Sequence, residues 1–177
     1  MQLAPNLFDA CYYYGRSSFA AGDPKRAVEL FQKAAAVRPE DYQSAMLVSL
    51  PLRLLGRLEE SRAAAKEGIR RAERSLKLNP MDVRALSLGA CCLIDVGEPD
   101  RGLEWVERIL HLFPEDMSAL VNSACAYARL GRKQEALDLL EKVFAKGWGK
   151  RDWIEHDPDY DILRDDPRFQ RLLAGLK

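Results

Sequence analysis

The sequence predicts an all-α protein, a solenoid of about four helical hairpins followed by a C-terminal capping helix. Apolar residues recur at helical spacing along most of the 177-residue chain. Two sets of marker residues recur at separations of 34, 41 and 34 positions: the glycines Gly22, Gly56, Gly97 and Gly131, and the prolines Pro5, Pro39, Pro80 and Pro114. Two independent markers with the same periods indicate an internal repeat.

Each marker has a physical reason. A glycine between two helices can take the left-handed conformation that ends the first helix without a Cβ clash. In the first hairpin Asp23-Pro24 then supplies an N-cap and a proline at the first helical position, and Glu98-Pro99 imitates this pair less well. The closing proline cannot continue a helix and turns the chain. Two residues later an aspartate is placed to cap the next helix, at Asp41, Asp82 and Asp116.

The repeat resembles the tetratricopeptide repeat. The resemblance covers about residues 8–150 and is carried by the 34-residue period and by Gly15, Gly22, Ala27, Phe31, Ala34 and Pro39 in the first unit, with Tyr127, Gly131, Ala136, Leu140 and Val143 in the last. It implies a right-handed superhelix of antiparallel helix pairs whose first helices line a concave groove. It also implies that the partner is a protein or a peptide.

The first unit spans residues 8–41. We interpret residues 1–7 as the tail of an upstream hairpin, because Leu3-Ala4-Pro5-Asn6 repeats the ending pattern of the later units. In the first helix of the unit, Tyr14 is expected to pack inside while Tyr12 and Tyr13 lean toward the groove. These two tyrosines are either structural filling or an aromatic platform for a partner, since tyrosine is favoured at interfaces.

The second unit, residues 42–82, is irregular. Pro51 predicts a kink or a shortened first helix. The second helix, from Leu58 to about Asn79, is seven residues too long, which keeps its apolar face in phase. The extension carries Arg70, Arg71, Arg74 and Lys77 and is either a solvated helix end or a docking site for an acidic partner.

The third and fourth units span residues 83–116 and 117–150. With the first helices of the other units, they give the residues predicted to line the groove: Tyr12, Tyr13, Arg16, Met46, Leu50, Arg53, Arg84, Ser87, Asn122 and Arg129. Some members of the family clamp a terminal carboxylate with Lys, Asn and Arg. The matching positions here carry Tyr12, Arg16, Leu47, Arg84 and Leu88, so that particular specificity is not expected.

Residues 151–177 depart from the repeat. Asp166-Pro167 predicts the start of a final amphipathic helix. The apolar residues of this segment, Trp153, Ile154, Tyr160, Ile162 and Leu163, are expected to cover the exposed end of the fourth unit, as repeat arrays require. The segment resembles the terminal cap of tetratricopeptide regions in bacterial multidomain signalling proteins, which implies a signalling or regulatory context.

Composition and motifs argue against several functions. Lys+Arg and Asp+Glu each number 27, so no net field favours nucleic acid or an anionic membrane. Four cysteines without metal-ligand spacing predict buried, reduced thiols and a cytoplasmic setting. The aspartates between Asp157 and Asp166 lack the glycine and glutamate of a calcium loop and are expected to cap turns. No catalytic or phosphate-binding motif is present, and we expect no enzyme activity, cofactor or metal.

The sequence therefore predicts a non-enzymatic scaffold that binds a peptide or protein segment in its groove, within a larger signalling or regulatory protein. The alternative is a structural spacer or a homo-oligomerisation segment, in which the partner is a second copy of the chain in a homodimer.

Overall fold

A computed structural model of the chain describes residues 8–176, and the predicted upstream tail, residues 1–7, lies outside this range. The described residues form eleven α-helices and one 3-10 helix. The repeats consist of α1 (Phe8–Ala20), α2 (Pro24–Val37), α3 (Tyr42–Leu47), α4 (Ser49–Leu54), α5 (Leu58–Leu78), α6 (Val83–Asp95), α7 (Pro99–Leu112), α8 (Met117–Arg129) and α9 (Lys133–Ala145), where α3 and α4 together take the place of one first helix. The last helix of the chain is α11 (Pro167–Ala174). Between α9 and α11 lie the short helix α10 (Arg151–His156) and the 3-10 helix Pro158–Leu163. The predicted all-α solenoid of helical hairpins is confirmed.

The turn residues behave as their chemistry dictates. The four inter-helix glycines all have positive φ, from 71° at Gly56 to 88° at Gly97. The side chains of Asp41, Asp82 and Asp116 each accept a hydrogen bond from the backbone N–H three residues later, at 2.7–3.0 Å. Glu98 makes no such side-chain bond. The local signals that end and restart helices therefore fix the hairpins.

The first helix of the second unit is broken where proline predicts it. Proline has no N–H to donate to the carbonyl four residues earlier, and its ring crowds that carbonyl. For Pro51 this carbonyl belongs to Leu47, the last residue of α3, and α4 starts again at Ser49. Pro51 therefore divides the first helix of this unit into α3 and α4, and the predicted kink is confirmed.

The long helix α5 continues the core instead of projecting from it. Ala65, Ile69 and Ala72 are buried on one face, and the helix packs against α3, α4 and α6. Of the basic residues in its extension, Arg70 and Arg71 pair with Glu67, and Arg71 also donates to the Asp41 carbonyl at 3.0 Å. Two of the four basic residues of the extension therefore share one carboxylate, which offsets one of their two positive charges.

The first helices of the hairpins pack side by side and form the concave layer, and the second helices form the outer layer. Helix α6, for example, contacts α5, α7 and α8, and also α3. Close crossings need small residues: a Cβ on Gly89 would lie 2.3 Å from the Trp105 ring, so only glycine lets α7 approach α6 here. The apolar core runs through all units between the two layers.

The C-terminal segment, residues 151–176, does more than cap the fourth unit. Tyr160, Leu163 and Phe169 are fully buried against the fourth unit, as expected of a cap. Ile162, which was expected to help cover this end, is 40% exposed. Trp153 packs against Phe19 of α1, with ring centroids 4.6 Å apart. Helix α10 therefore crosses the concave side and joins the last unit to the first.

Within residues 8–176, no helix combines the length and the apolar character that crossing a membrane requires.

Candidate functional site on the concave surface

Helix α10 divides the concave surface into a closed part and an open part. The closed part holds a buried arginine cluster, defined here as Arg53, Asp95, Arg129 and Asp159. The open part is a basin with a volume of about 430 Å³, lined by Arg16, Leu47, Arg84, Leu88, Ser118, Val121, Asn122, the loop residues 147–150, Trp153 and Ile154. The predicted groove residues are distributed between these two parts.

In the buried arginine cluster two guanidinium groups share two carboxylates. Arg129 bonds Asp95 at 2.8 Å and Asp159 at 2.7 Å, and Arg53 bonds Asp95 at 2.9 Å and also pairs with Asp159. The side chains of Arg129 and Asp159 are only 8% and 5% exposed. Burial alone would raise the pKa of the Asp159 carboxyl, but the two arginines outweigh it and hold that pKa below its ordinary value. The four charges sum to zero.

Asp157 lies beside this cluster, and within residues 8–176 its carboxylate forms no ion pair. Its carboxylate accepts hydrogen bonds from the Asp159 N–H at 3.0 Å and from the Trp153 indole N–H at 3.1 Å. Burial, and then the negative charge of Asp159, raise the pKa of Asp157 from 3.8 to about 7. Protonated Asp157 keeps the region neutral, and ionised Asp157 adds one buried negative charge.

A small cavity of about 70 Å³ lies beneath the C-terminal segment, residues 151–176. Its roof is formed by Trp153, Asp157 and Asp159 of the C-terminal segment. Its floor is formed by residues of the first helices, namely Met46, Leu47, Ser49, Leu50, Leu88, Cys91, Cys92, Val121, Asn122, Cys125 and Arg129. The chain itself thus covers this half of the groove.

The open basin is organised around Arg84. Its guanidinium donates to three neutral oxygens: the Gln43 amide at 3.0 Å, the Ser118 hydroxyl at 3.1 Å and the Tyr12 hydroxyl at 3.3 Å. These acceptors come from three different units, so the neighbouring first helices position Arg84 together. Arginine has five fixed N–H donors and stays charged.

A second guanidinium, that of Arg16, donates to the same Tyr12 hydroxyl as Arg84, at 3.5 Å. Arg16 is placed over the Trp153 ring at 5.5 Å and over the Tyr12 ring at 5.8 Å. Lys150 and the 42% exposed Trp148 complete the rim. No Asp or Glu is among the described residues that line the basin, so its positive charge is not balanced locally.

The other predicted groove residues take varied positions. Tyr12 is buried and donates to Gln43 at 3.0 Å, and Tyr13 is 63% exposed beside it. Tyr14 was expected to pack inside, but it is 68% exposed because the apolar face of α1 is turned to bury Tyr12 instead. Ser87 is buried, and its hydroxyl donates to the Val83 carbonyl of its own helix at 2.8 Å.

The remaining predicted residues line the cavity or the basin. Met46 and Leu50 are on the cavity floor, beneath the C-terminal segment. Asn122 borders both spaces and donates to the Ser118 carbonyl at 2.8 Å. The structure therefore brings Arg16, Arg84 and Asn122 together in the basin, and Arg53 and Arg129 together in the buried cluster.

The charge and bonding of the buried groups do not suit a metal ion. Within residues 8–176, ligand atoms of Cys125, Asp157 and Asp159 lie within 4.8 Å of one another. Asp159 is already bound by two arginines, and the Cys125 thiol is 3.0 Å from the Tyr160 hydroxyl. Burial raises the pKa of the Cys125 thiol, which opposes the thiolate that a metal needs. A cation here would face two guanidinium groups.

Several residues of the site were missed in the sequence. The aspartates of the C-terminal segment were expected to cap turns, which holds for Asp157 and Asp166, but Asp159 is a buried ion-pair partner. Gln43, Ser118, Trp148 and Lys150 also belong to the site, although the helical pattern does not predict them as groove residues. One sequence signal indicates the Asp95–Arg129 pair. The two residues occupy the same position in successive units, two residues before the turn glycine.

The hairpins and their concave basin define a helical-repeat protein of the α-solenoid class. The tetratricopeptide repeat family matches residues 15–75 and 88–150, which is more than half of the chain. The chain belongs to the tetratricopeptide repeat family, whose fold is in general a scaffold for protein–protein interaction.

Solved structures match the chain at low identity, each with a TM-score under 0.5. MamA residues 41 to the end from Desulfovibrio magneticus are 15% identical, with 95% of this chain and 94% of that chain covered and a TM-score of 0.43. YrrB, described as a TPR protein with an unusual peptide-binding site, is 14% identical over 93% and 82%, with a TM-score of 0.44. A kinesin light chain repeat protein from Podosopora anserina is 20% identical over 81% and 77%, with a TM-score of 0.48. No curated protein matches the chain.

Proposed function

We propose that the chain is a non-enzymatic interaction module that binds an acidic segment of a partner protein in the basin. Arg84 carries the proposal: three neutral acceptors fix its guanidinium at the basin, and no carboxylate among the described lining residues balances its charge. A guanidinium held in this way is pre-oriented for a carboxylate, and bidentate pairing of the two is stronger than a neutral hydrogen bond.

The basin also limits the size and character of the ligand. A volume of about 430 Å³ is within the range of ligand pockets and holds a few residues of a segment, not a long helix. The walls combine Arg16 with the rings of Trp148 and Trp153, so an acidic residue next to an apolar or aromatic one fits best. Rigid walls reduce the ordering cost of binding.

The wider context follows from the resemblance of the C-terminal segment. In this proposal the module is part of a larger signalling or regulatory protein in the cytoplasm. The basin would recruit a partner to that protein, and no nucleic acid or membrane is required, since the chain has no net charge.

The test compares three proteins in a capture experiment: the wild type, Arg84→Glu and Arg62→Glu. Arg62 is an exposed α5 residue that pairs with Glu59, so the Arg62→Glu variant has the same change in net charge away from the basin. A partner retained by the wild type and Arg62→Glu but lost by Arg84→Glu supports the basin. Its captured segment should then lose binding, measured by calorimetry, when its acidic residues are replaced by alanine.

Equal retention of the partner by all three proteins would move the binding site away from the basin and overturn the proposal. The spacer or homo-oligomerisation role predicts another result, namely no specific partner and, for self-association, a mass in light scattering that rises with concentration. That mass should be unchanged by Arg84→Glu if the basin is not the contact.

A further inference from the structure

Two arginines of the basin meet at one hydroxyl group. Nη2 of Arg84 is 3.3 Å and Nη1 of Arg16 is 3.5 Å from the hydroxyl oxygen of Tyr12. This hydroxyl donates its own proton to the side-chain oxygen of Gln43 at 3.0 Å, so its lone pairs accept from both arginines. Two positive charges are therefore held around one neutral oxygen, beside the basin that both arginines line.

Both guanidinium groups keep N–H donors for a ligand. Arg84 uses Nε for Gln43, one N–H of Nη1 for Ser118 and one N–H of Nη2 for Tyr12. Because each terminal nitrogen of a guanidinium carries two hydrogens, Arg84 retains one donor on each of them. Among residues 8–176, Arg16 has the Tyr12 hydroxyl as its one hydrogen-bond acceptor. An anion in the basin can thus accept bonds from two guanidinium groups at once.

The positive charge of the basin exceeds what a single carboxylate balances. Arg16, Arg84 and Lys150 line the basin, and none of the three forms an ion pair with a described residue. A carboxylate brings one negative charge and two oxygens, which is enough for one guanidinium. A phosphorylated side chain brings a charge of about −1.5 to −2 at pH 7 and three acceptor oxygens. The charge and the donors of the basin therefore match a phosphoryl group better than a carboxylate.

The surroundings of the two arginines fit a phosphate that is attached to a peptide. The guanidinium of Arg16 lies over the Trp153 ring, 5.5 Å from its centre, which holds Arg16 in place before a ligand arrives. Trp148, at the rim, is 42% exposed and offers an apolar surface to a residue next to the phosphorylated one. Inorganic phosphate would leave this part of the basin unused.

We propose that the acidic group bound by the basin is a phosphorylated side chain of the partner segment, a step that rests on the function proposed above. Arg84 binds two of the phosphoryl oxygens, and Arg16 binds the third. Lys150 adds a positive charge at the rim. Phosphorylation of the partner then turns its recruitment on, because the unmodified hydroxyl side chain brings no charge to the two arginines.

The test uses short synthetic peptide libraries that have one fixed central residue and random neighbours. The central residue is phosphoserine, phosphotyrosine, glutamate or serine, and the amount of each library retained by the immobilised wild-type chain is measured. At least one of the two phosphorylated libraries should be retained at least tenfold more than the glutamate library. If the glutamate library is retained as well as both of them and better than serine, the basin binds carboxylates: the proposed function stands and the phosphate inference is wrong. If no library is retained better than serine, both are wrong.

Variants of Arg16 separate a second phosphate ligand from a general positive charge. Arg16→Met should lower retention of the phosphorylated library at least tenfold and that of the glutamate library less than threefold, since Arg84 alone is sufficient for a carboxylate. Arg26→Met is the matched control: Arg26 pairs with Glu29 on the exposed face of α2, so its loss removes the same charge outside the basin and should alter neither library. If Arg16→Met lowers both libraries by one factor, or lowers neither, the two arginines do not bind phosphate together.

The pH dependence of binding provides a test on the wild type, in case the variants fail to fold. The second proton of a phosphomonoester leaves with a pKa of about 6, whereas glutamate is ionised from pH 5 upward. The ratio of phosphorylated to glutamate library retained should therefore rise at least threefold between pH 5 and pH 7. Groups of the protein that titrate in this range, such as Asp157, affect both libraries alike. An unchanged ratio would show that the basin does not use the second charge, which contradicts the pairing of two arginines on one phosphate.

Discussion

The concave surface carries two groups of arginines that differ in what balances their charge. Arg129 is buried against two carboxylates, Asp95 and Asp159. Arg84 is half-buried against three neutral oxygens and faces the basin. Because the same side chain serves both places, the difference lies in the partners. The buried arginine cluster joins the C-terminal segment to the repeats, whereas the charge of Arg84 remains available to a ligand in the basin.

The comparison also separates stability from recognition. A buried ion pair offsets its own desolvation only while both members are present, so removing one member is costly. A guanidinium held by neutral groups beside an open basin can be removed with less damage, because water replaces it. Mutations in the buried arginine cluster should therefore change mainly the free energy of unfolding, and mutations in the basin should change mainly the affinity for a ligand.

The largest expected effect is the loss of Asp159. Asp159→Ala leaves Arg53 and Arg129 with Asp95 alone and uncovers one buried positive charge, which should lower the free energy of unfolding by about 3 kcal/mol or more. Urea unfolding followed by circular dichroism measures it. Asp161→Ala is the control in the same 3-10 helix. The side chain of Asp161 is 65% exposed and that of its partner Arg164 is 36% exposed, so this pair should contribute about 0.5 kcal/mol or less to the free energy of unfolding. If the two variants lose similar amounts of unfolding free energy, the buried arginine cluster does not stabilise the fold more than an exposed ion pair.

The sequence predicted the repeats because their signals are local. Gly22 and its equivalents need positive φ, Asp41 and its equivalents cap the next helix, and Pro51 breaks α3 from α4, all within a few residues of the chain. The path of the C-terminal segment has no such signal. Whether Trp153 reaches Phe19 depends on how far four units curve, which is the sum of small rotations at every unit.

The site was predictable to the same limited degree. Helical phase placed Arg16 and Arg84 on the first helices and toward the groove. It could not show that Asp159 would neutralise Arg53 and Arg129, because these residues are 106 and 30 positions from it. Nor could it show that the charge on Arg84 would stay unbalanced, since this depends on which neighbours are neutral.

The pH dependence of stability tests the excess carboxyl beside the buried cluster. The pKa of Asp157 is raised in the folded chain from 3.8 to about 7, so between pH 4 and 7 the unfolded chain releases a proton that the folded chain keeps. Stability should therefore fall as the pH rises through this range, by up to about 1.4 kcal/mol per pH unit from this group, and level off above pH 7.

Asp159 contributes with the opposite sign, because its pKa is lowered: its stabilisation is present above its ordinary pKa and is lost as the pH falls through the lowered value. The range from pH 5 to 7 thus isolates Asp157, which faces Trp153, Asp159, Cys125 and Arg129. Asp157→Asn should flatten the dependence in urea unfolding at pH 5, 6, 7 and 8. Parallel curves for the wild type and this variant would mean that Asp157 is already ionised at pH 5.

A smaller effect on stability is expected in the open basin. Arg84→Met keeps the apolar stem and removes the guanidinium, and the three oxygens that it leaves can bind water in the basin. The unfolding free energy should change by about 1 kcal/mol or less, while an acidic partner peptide should bind at least tenfold more weakly in calorimetry. Arg129→Met makes the same chemical change in the buried cluster and should cost about 3 kcal/mol or more. If Arg84→Met lowers the free energy of unfolding more than Arg129→Met does, the proposed difference between the two groups of arginines is wrong.

The smallest effect concerns how Arg84 is held. Ser118→Ala removes one of its three acceptors, at 3.1 Å, so the guanidinium stays charged but is less well oriented. Stability should change by about 0.5 kcal/mol or less, and the affinity for the acidic peptide should fall about two- to fivefold, because a pre-oriented donor costs less to fix. Ser87→Ala is the matched change on α6, where the hydroxyl bonds its own helix at 2.8 Å and not Arg84, and it should leave the affinity unaltered. If both variants weaken binding equally, the loss of a hydroxyl weakens binding wherever it occurs on the first helices. The neutral acceptors then do not position Arg84 for its ligand.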